Sequence, residues 1–253
     1  MKIVTYNIAC GWSWDSINSM QHRIGMIWEK IRTEKPDVIA FQEIVPIARD
    51  CLEDMFHDYM FLGHMRGADY DGEGLFTAIR RDAWELLAYD TFWLSPTPYV
   101  PGSRYENQSE CPRICVVTAV RNKKTGERIR LYNLHLDHIS DEARVEGMGC
   151  ILGYMHDIEE KNPMESILLG DFNARAGSNT IALCKNYPYR HLTDATSDLA
   201  ATFHNFGSAA TKIDYMFVTD GLLSRAKKAV VWDDVHKGIY LSDHYPVAVE
   251  FED

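Results

Sequence analysis

Ile167-Leu168-Leu169-Gly170-Asp171-Phe172-Asn173-Ala174 is the stretch around which the rest of the chain is ordered. Its apolar start reads as a short buried strand. Gly170 allows the backbone to turn where the strand ends. That turn would set Asp171 and Asn173 side by side at the strand's carboxyl edge, pointing out of the core. A carboxylate and an amide in that position suit a hard cation, an attacking water or a phosphate oxygen. Taken alone, this stretch is better explained as a strand followed by an Asx turn. The same arrangement recurs along the chain, and the recurrence decides for a site.

Working outward, strands are expected over 2–6, 37–41, 75–80, 113–121, 128–136, 213–218, 229–232 and 247–251. The turn Lys123-Lys124-Thr125-Gly126 joins two of them as a hairpin. Residues 20–34 show Ile24, Ile27, Trp28 and Ile31 at helical spacing, and Pro36 ends that helix. Further helices are expected over 46–56, 141–161 and 178–185. The 141–161 helix would be capped by Asp141 and present Val145, Met148, Ile151, Leu152 and Met155 on its apolar face. Residues 95–112 are Pro/Gly/polar without periodicity, as in a functional lid or a disordered loop. Strands and helices alternate, with hairpins between. That implies one α/β domain over 1–253 with mixed or antiparallel sheets, without internal repeats or a linker.

Five strands end in polar groups. They are Asn7, Gln42-Glu43, Asn133-Leu134-His135-Leu136-Asp137-His138, Asp171 with Asn173, and Ser242-Asp243-His244-Tyr245-Pro246 ahead of the last strand. Lys212-Ile213-Asp214-Tyr215 opens another strand with an aspartate. Converging on one sheet edge, such groups build a site from separate parts of the chain.

Taken in order, these motifs resemble the endonuclease/exonuclease/phosphatase family of DNase I-like metal-dependent phosphoesterases. The resemblance spans Lys2 to Phe251. It implies an α/β four-layer sandwich of two packed mixed β-sheets flanked by helices. It also implies hydrolysis of a phosphate ester by a water activated with Mg²⁺ or Mn²⁺. Glu43 would ligate the metal, with Asn7 and Asp243 completing its surroundings. His244, oriented by Asp214, would be general base or electrostatic stabiliser. Asp171 would orient or deprotonate the water, Asn173 would hydrogen-bond the phosphate, and His135 would donate to a non-bridging oxygen. Arg113 and Arg144 are candidates to bind the phosphate. Asp137 and His138 fit a solvated strand end about as well as a site.

Composition narrows the substrate. The 253 residues are 46% hydrophobic and 25% charged, ordinary for a soluble globular chain. No run of 18 apolar residues suggests a membrane span. The N-terminal residues lack a signal-peptide pattern, which favours the cytoplasm. Six scattered cysteines without a CxxC pair argue for free buried thiols rather than zinc. With 26 basic and 37 acidic residues, the net charge is −11. Nucleic acid remains a possible partner, but strong duplex binding is not expected. A small or single-stranded phosphate ester is the first expectation, a DNA repair endonuclease or exonuclease of the same fold the second. A catalytically inactive binding protein is third, because Glu43, Asp171, Asp214 and His244 are all present. Trp12, Trp14, Tyr70, Tyr99, Tyr105, Phe203, His204 and Phe206 fall in loops, where substrate choice resides. Oligomeric state carries no signal in the sequence.

Overall fold

The computed structural model describes residues 1–9 and 16–252, so Trp12 and Trp14 lie outside the described residues. In chain order the elements begin with β1 (Lys2–Asn7), α1 (Met20–Glu34), β2 (Val38–Ile44), α2 (Pro46–Met55) and β3 (Tyr59–Met65). Then come β4 (Gly74–Arg80), β5 (Trp84–Trp93), β6 (Ile114–Asn122), β7 (Arg128–His135) and α3 (Asp141–Lys161). These are followed by β8 (Glu165–Asp171), α4 (Asn179–Lys185), β9 (Thr193–Asp194), β10 (Asp214–Val218) and α5 (Asp220–Leu223). Short strands β11 (Val230–Val231), β12 (Val235–His236) and β13 (Ile239–Tyr240) precede β14 (Val247–Glu250). No helix among the described residues is long and apolar enough to cross a membrane.

Two six-stranded sheets result, in the orders β11-β14-β1-β2-β4-β3 and β5-β6-β7-β8-β10-β9. Each contains one parallel pair, β1 with β2 and β7 with β8. Each parallel pair needs a crossover, and α1 and α3 supply it. Ile3, Val38 and Ala40 of the first sheet pack against Leu131, Ile167 and Leu169 of the second. The outer face of the first sheet is covered by Met20, Ile27 and Ile31 of α1 and Leu52 of α2. Met148, Ile151 and Met155 of α3 and Ile181 of α4 cover the outer face of the second. The architecture is therefore helices, sheet, sheet, helices, the four-layer sandwich.

Several details depart from expectation. Trp28 is exposed beside Arg32 rather than on the apolar face of α1, while Arg23 is fully buried there. Ser140, not Asp141, caps α3, its hydroxyl accepting from Ala143 N at 3.1 Å. Gly170 does not make the turn. It lies within β8 at φ 143°, and a Cβ there would meet the Leu134 carbonyl oxygen at 2.0 Å. The turn follows at Asn173, whose φ is 47°. The 95–112 segment has no regular structure, yet it is tied down along its length. Ser95 and Ser103 hydroxyls lie 2.7 Å apart, and Ser109 N donates to Asp137 Oδ2 at 3.2 Å. Of the thiols, Cys115 and Cys184 are buried and Cys51, Cys111 and Cys150 half-buried.

Gln42 and Asn133 couple the two sheets at the centre of the sandwich. Gln42 Nε2 donates to Asn133 Oδ1 at 2.8 Å, and Asn133 Nδ2 donates to the Phe41 and Phe76 carbonyls at 3.2 Å. Both amides are fully buried. Gln42→Leu would strip partners from buried polar groups, and each orphaned group costs ~1–3 kcal/mol. The denaturant midpoint should fall with an unchanged m value. An unchanged midpoint would show that the amide pair contributes nothing to stability.

Candidate active site

Both βαβ units deliver their strand ends to the same edge, where ligands bind in open α/β sheets. Asn7 ends β1, Glu43 lies near the end of β2, His135 ends β7 and Asp171 ends β8. Asp214 opens β10 directly opposite Asp171 in antiparallel register. His244 arrives in the turn before β14. A register shift between Phe41 and Ile44, with Glu43 at φ 61°, breaks the regular pairing of β2 where this carboxylate sits.

Asn7 Nδ2 donates to Glu43 Oε1 at 2.9 Å and to Asp171 Oδ2 at 3.0 Å, so one amide holds two carboxylates. Its Oδ1 accepts from Ala9 N. His135 Nε2 lies 3.5 Å from Asp171 Oδ2 and 4.0 Å from Glu43 Oε1. His244 Nδ1 donates to Asp214 Oδ2 at 2.9 Å, and its Nε2 is 3.7 Å from Asp171 Oδ2. The ligand atoms of Glu43, His135 and Asp171 lie within 4.8 Å of one another, and so do those of Asp171, Asp214 and His244.

Electrostatics divide the site. Burial, with the charge of Glu73, pushes the Glu43 carboxyl upward. Burial, with the facing Asp214, does the same to Asp171. His244 is raised: burial alone would lower it, but Asp214 and Asp171 outweigh that. On the other side burial, then Arg113 and Arg66, holds His135 well below the usual histidine range. One half thus gathers the carboxylates around His244, and the other collects Arg113, Arg66 and His135.

The remaining expected residues take distinct places. Asn173 Nδ2 donates to the Leu136 carbonyl at 3.0 Å, and its backbone N to Asp171 Oδ1 at 2.8 Å. It therefore shapes the loop that presents Asp171. Asp243 is half-buried, its Oδ1 accepting from Ser242 Oγ at 3.2 Å, and belongs to neither three-residue group. Arg113 is buried and donates to His138 Nδ1 at 2.9 Å. Arg144 donates to the Asp137 carbonyl at 2.7 Å and pairs with Asp141, which commits it to the first turn of α3. Asp137 Oδ1 accepts from Ile139 N and Ser140 N, fixing the turn into that helix.

Sequence reasoning missed three supports. Arg23 donates to the Ile8, Ala9, Asn18 and Leu241 carbonyls, fastening the chain after β1 to the segment before His244. Its position on an otherwise apolar helix face was the available signal. Ser242 Oγ donates to the Asn7 carbonyl at 2.7 Å, closing the same junction. Arg66, paired with Glu73 at 2.5 Å, follows β3, an element with no clear sequence pattern.

A model of the Endonuclease/Exonuclease/phosphatase family matches residues 4–244. The chain belongs to this family. Its members are hydrolases acting on phosphate esters. An endonuclease/exonuclease/phosphatase from Bacteroides vulgatus aligns with a TM-score of 0.87 at 26% identity, covering 99% of this chain and 98% of that one. A mannosyl-6-phosphatase from Bacteroides thetaiotaomicron has a TM-score of 0.87 at 24% identity, with 100% of both chains covered. TDP2 from D. rerio, complexed with a single-strand DNA product, has a TM-score of 0.77 at 17% identity, covering 100% of this chain and 99% of that one. These last two establish the shared fold.

Proposed function

We propose that this protein is a Mg²⁺- or Mn²⁺-dependent phosphoesterase that hydrolyses a small phosphate ester. The observation that carries the reading is the convergence of Glu43, His135, Asp171, Asp214 and His244 in two overlapping groups sharing Asp171. The donor set fits a hard divalent cation: Glu43 and Asp171 supply oxygens close together, and burial with neighbouring carboxylates pushes both carboxyls upward, a cost that a cation would relieve. Glu43 and Asp171 would hold the ion, with Asn7 tying the two carboxylates and Asp243 beside them. When bound, such an ion neutralises phosphate charge and polarises the P–O bond.

This chain's own groups account for the rest. Asp214 fixes the His244 ring with its Nε2 toward Asp171. A water between those side chains attacks phosphorus in line and gives its proton to the pair. The P–O bond to the leaving group breaks as the new one forms, its electron pair leaving with the ester oxygen, which takes a proton from the site or from solvent, without a covalent enzyme intermediate. His135, on the basic side, faces a non-bridging oxygen.

A small substrate is favoured by the net charge of −11, which opposes a long duplex. The structural kinship with a mannosyl-6-phosphatase supports a sugar phosphate as the first ester to try. The test is a panel of sugar phosphates, mononucleotides, dinucleotides and an abasic duplex, each with Mg²⁺ and with EDTA. Small esters should react fastest, and their rate should change little with salt because few phosphates are contacted. Much faster cleavage of the abasic duplex, with a steep salt dependence, would favour the repair nuclease instead.

A further inference from the structure

We propose that His138 touches the substrate on the basic side of the site, donating from Nε2 to an anionic oxygen of the phosphate ester, while buried Arg113 positions it. The inference deepens the phosphoesterase reading and rests on it.

Arg113 is too enclosed to reach a ligand itself. Its residue is 3% exposed, and Nε and Nη1 are buried without a hydrogen-bond partner. Its described outlet is Nη2, which donates to His138 Nδ1 at 2.9 Å. A guanidinium is donor-only, so Nδ1 must be the accepting nitrogen of the ring. In the neutral imidazole the proton then sits on Nε2. His138 is exposed, and it follows β7, whose last residue His135 lies against Asp171. Its backbone is anchored because Asp137 is gripped by Ile139 N, Ser140 N and Ser109 N.

His244 is arranged in the opposite sense. There Nδ1 donates to a carboxylate, leaving Nε2 to deal with a proton. At His138 a cation holds Nδ1, so Nε2 is a fixed donor. Burial and then Arg113 lower the His138 ring from its ordinary value, with Asp137 and Glu73 acting against them and Arg66 with them, the same sense as the accepting role that Arg113 gives Nδ1. A donor whose opposite ring nitrogen is held by the Arg113 guanidinium favours an anionic acceptor. Arg113 makes no direct ion pair among the described residues, although Asp171 and Asp137 act on it from farther off, so an anion at the His138 face would add to its counter-charge.

The test reads the ring and the ligand separately, on the full chain. Histidine ¹⁵N spectra, with the His138 signal assigned through its loss in His138→Gln, should show the proton on Nε2. Arg113→Met should move that ring toward a tautomer mixture while thermal unfolding confirms a folded chain. Calorimetry with inorganic phosphate and Mg²⁺ should show ~10-fold weaker binding in His138→Ala, the loss of one charge-assisted hydrogen bond. His138→Gln, whose amide nitrogen reaches where Nε2 does, should retain most of the affinity. A proton on Nδ1 in the wild type, unchanged phosphate affinity in His138→Ala, or no phosphate binding by the wild type would each overturn the proposal. Absence of hydrolysis on every ester, with the tautomer and phosphate binding as expected, would overturn the phosphoesterase reading and leave His138 as an anion-binding residue.

Discussion

Replacing His244 with alanine is expected to lower kcat by ~10²–10⁴-fold, the range for loss of a positioned acid–base group. Asp214→Ala should have a loss of the same order. The double variant should be little worse than the worse single one. The reason is geometric: Asp214 Oδ2 accepts from His244 Nδ1 at 2.9 Å, and both residues are buried. Without Asp214 the ring has no fixed tautomer, and its Nε2 is no longer held toward Asp171. Removing the ring afterwards takes away a group already disabled, so the free-energy losses should not add. Asp214 also lies opposite Asp171 across β8 and β10, so its removal relieves a like-charge pair. Thermal unfolding of each variant separates that relief from the catalytic loss. Multiplicative losses in the double variant would show that the two residues act independently.

The candidate residues Asn7, Glu43, His135 and Asp171 were legible because they sit at or next to the ends of buried strands. Strands β1, β2, β7 and β8 are buried almost throughout and carry polar residues at or next to their ends; β2 and β8 read as mostly apolar runs, while β1 and β7 carry polar residues within their buried length. Strands β3 and β5 escaped notice because both lie at sheet edges, where partial exposure leaves neither an unbroken apolar run nor a strict alternation. Missing β3 also hid Arg66, whose place beside the site depends on the loop between β3 and β4. The four-layer arrangement came from family resemblance, since periodicity cannot say which face of a sheet meets the other sheet. Arg23 and Arg144 show a further limit of residue type alone. Each is a buried arginine, yet the described contacts spend them largely on backbone carbonyls, a role set by chain geometry. Gly170 was expected to turn the chain and instead admits the Leu134 carbonyl, which becomes visible only when β7 and β8 are paired.

EDTA should abolish hydrolysis, and restoring Mg²⁺ or Mn²⁺ should return it. In the same assay Glu43→Gln should lower activity at least ~10-fold and raise the metal concentration needed for half-maximal rate. Glutamine keeps the shape of the side chain and can still meet Asn7 Nδ2 through its amide oxygen, so the change falls mainly on charge. The Glu43 carboxyl is pushed upward by burial and by Glu73, as expected for a carboxylate whose counter-charge is a removable ion. Glutamine at that position relieves the burial cost, so the apo variant should be at least as stable as the apo wild type even as its activity falls. This opposition separates a metal-site defect from misfolding: a folding defect lowers stability and activity together, while loss of a ligand lowers activity and leaves the unfolding midpoint intact or higher. Stabilisation by Mg²⁺ should shrink in the variant, because a ligand stabilises only as far as its affinity for the folded state allows. Full hydrolysis in EDTA would remove the metal from the mechanism whatever Glu43→Gln did.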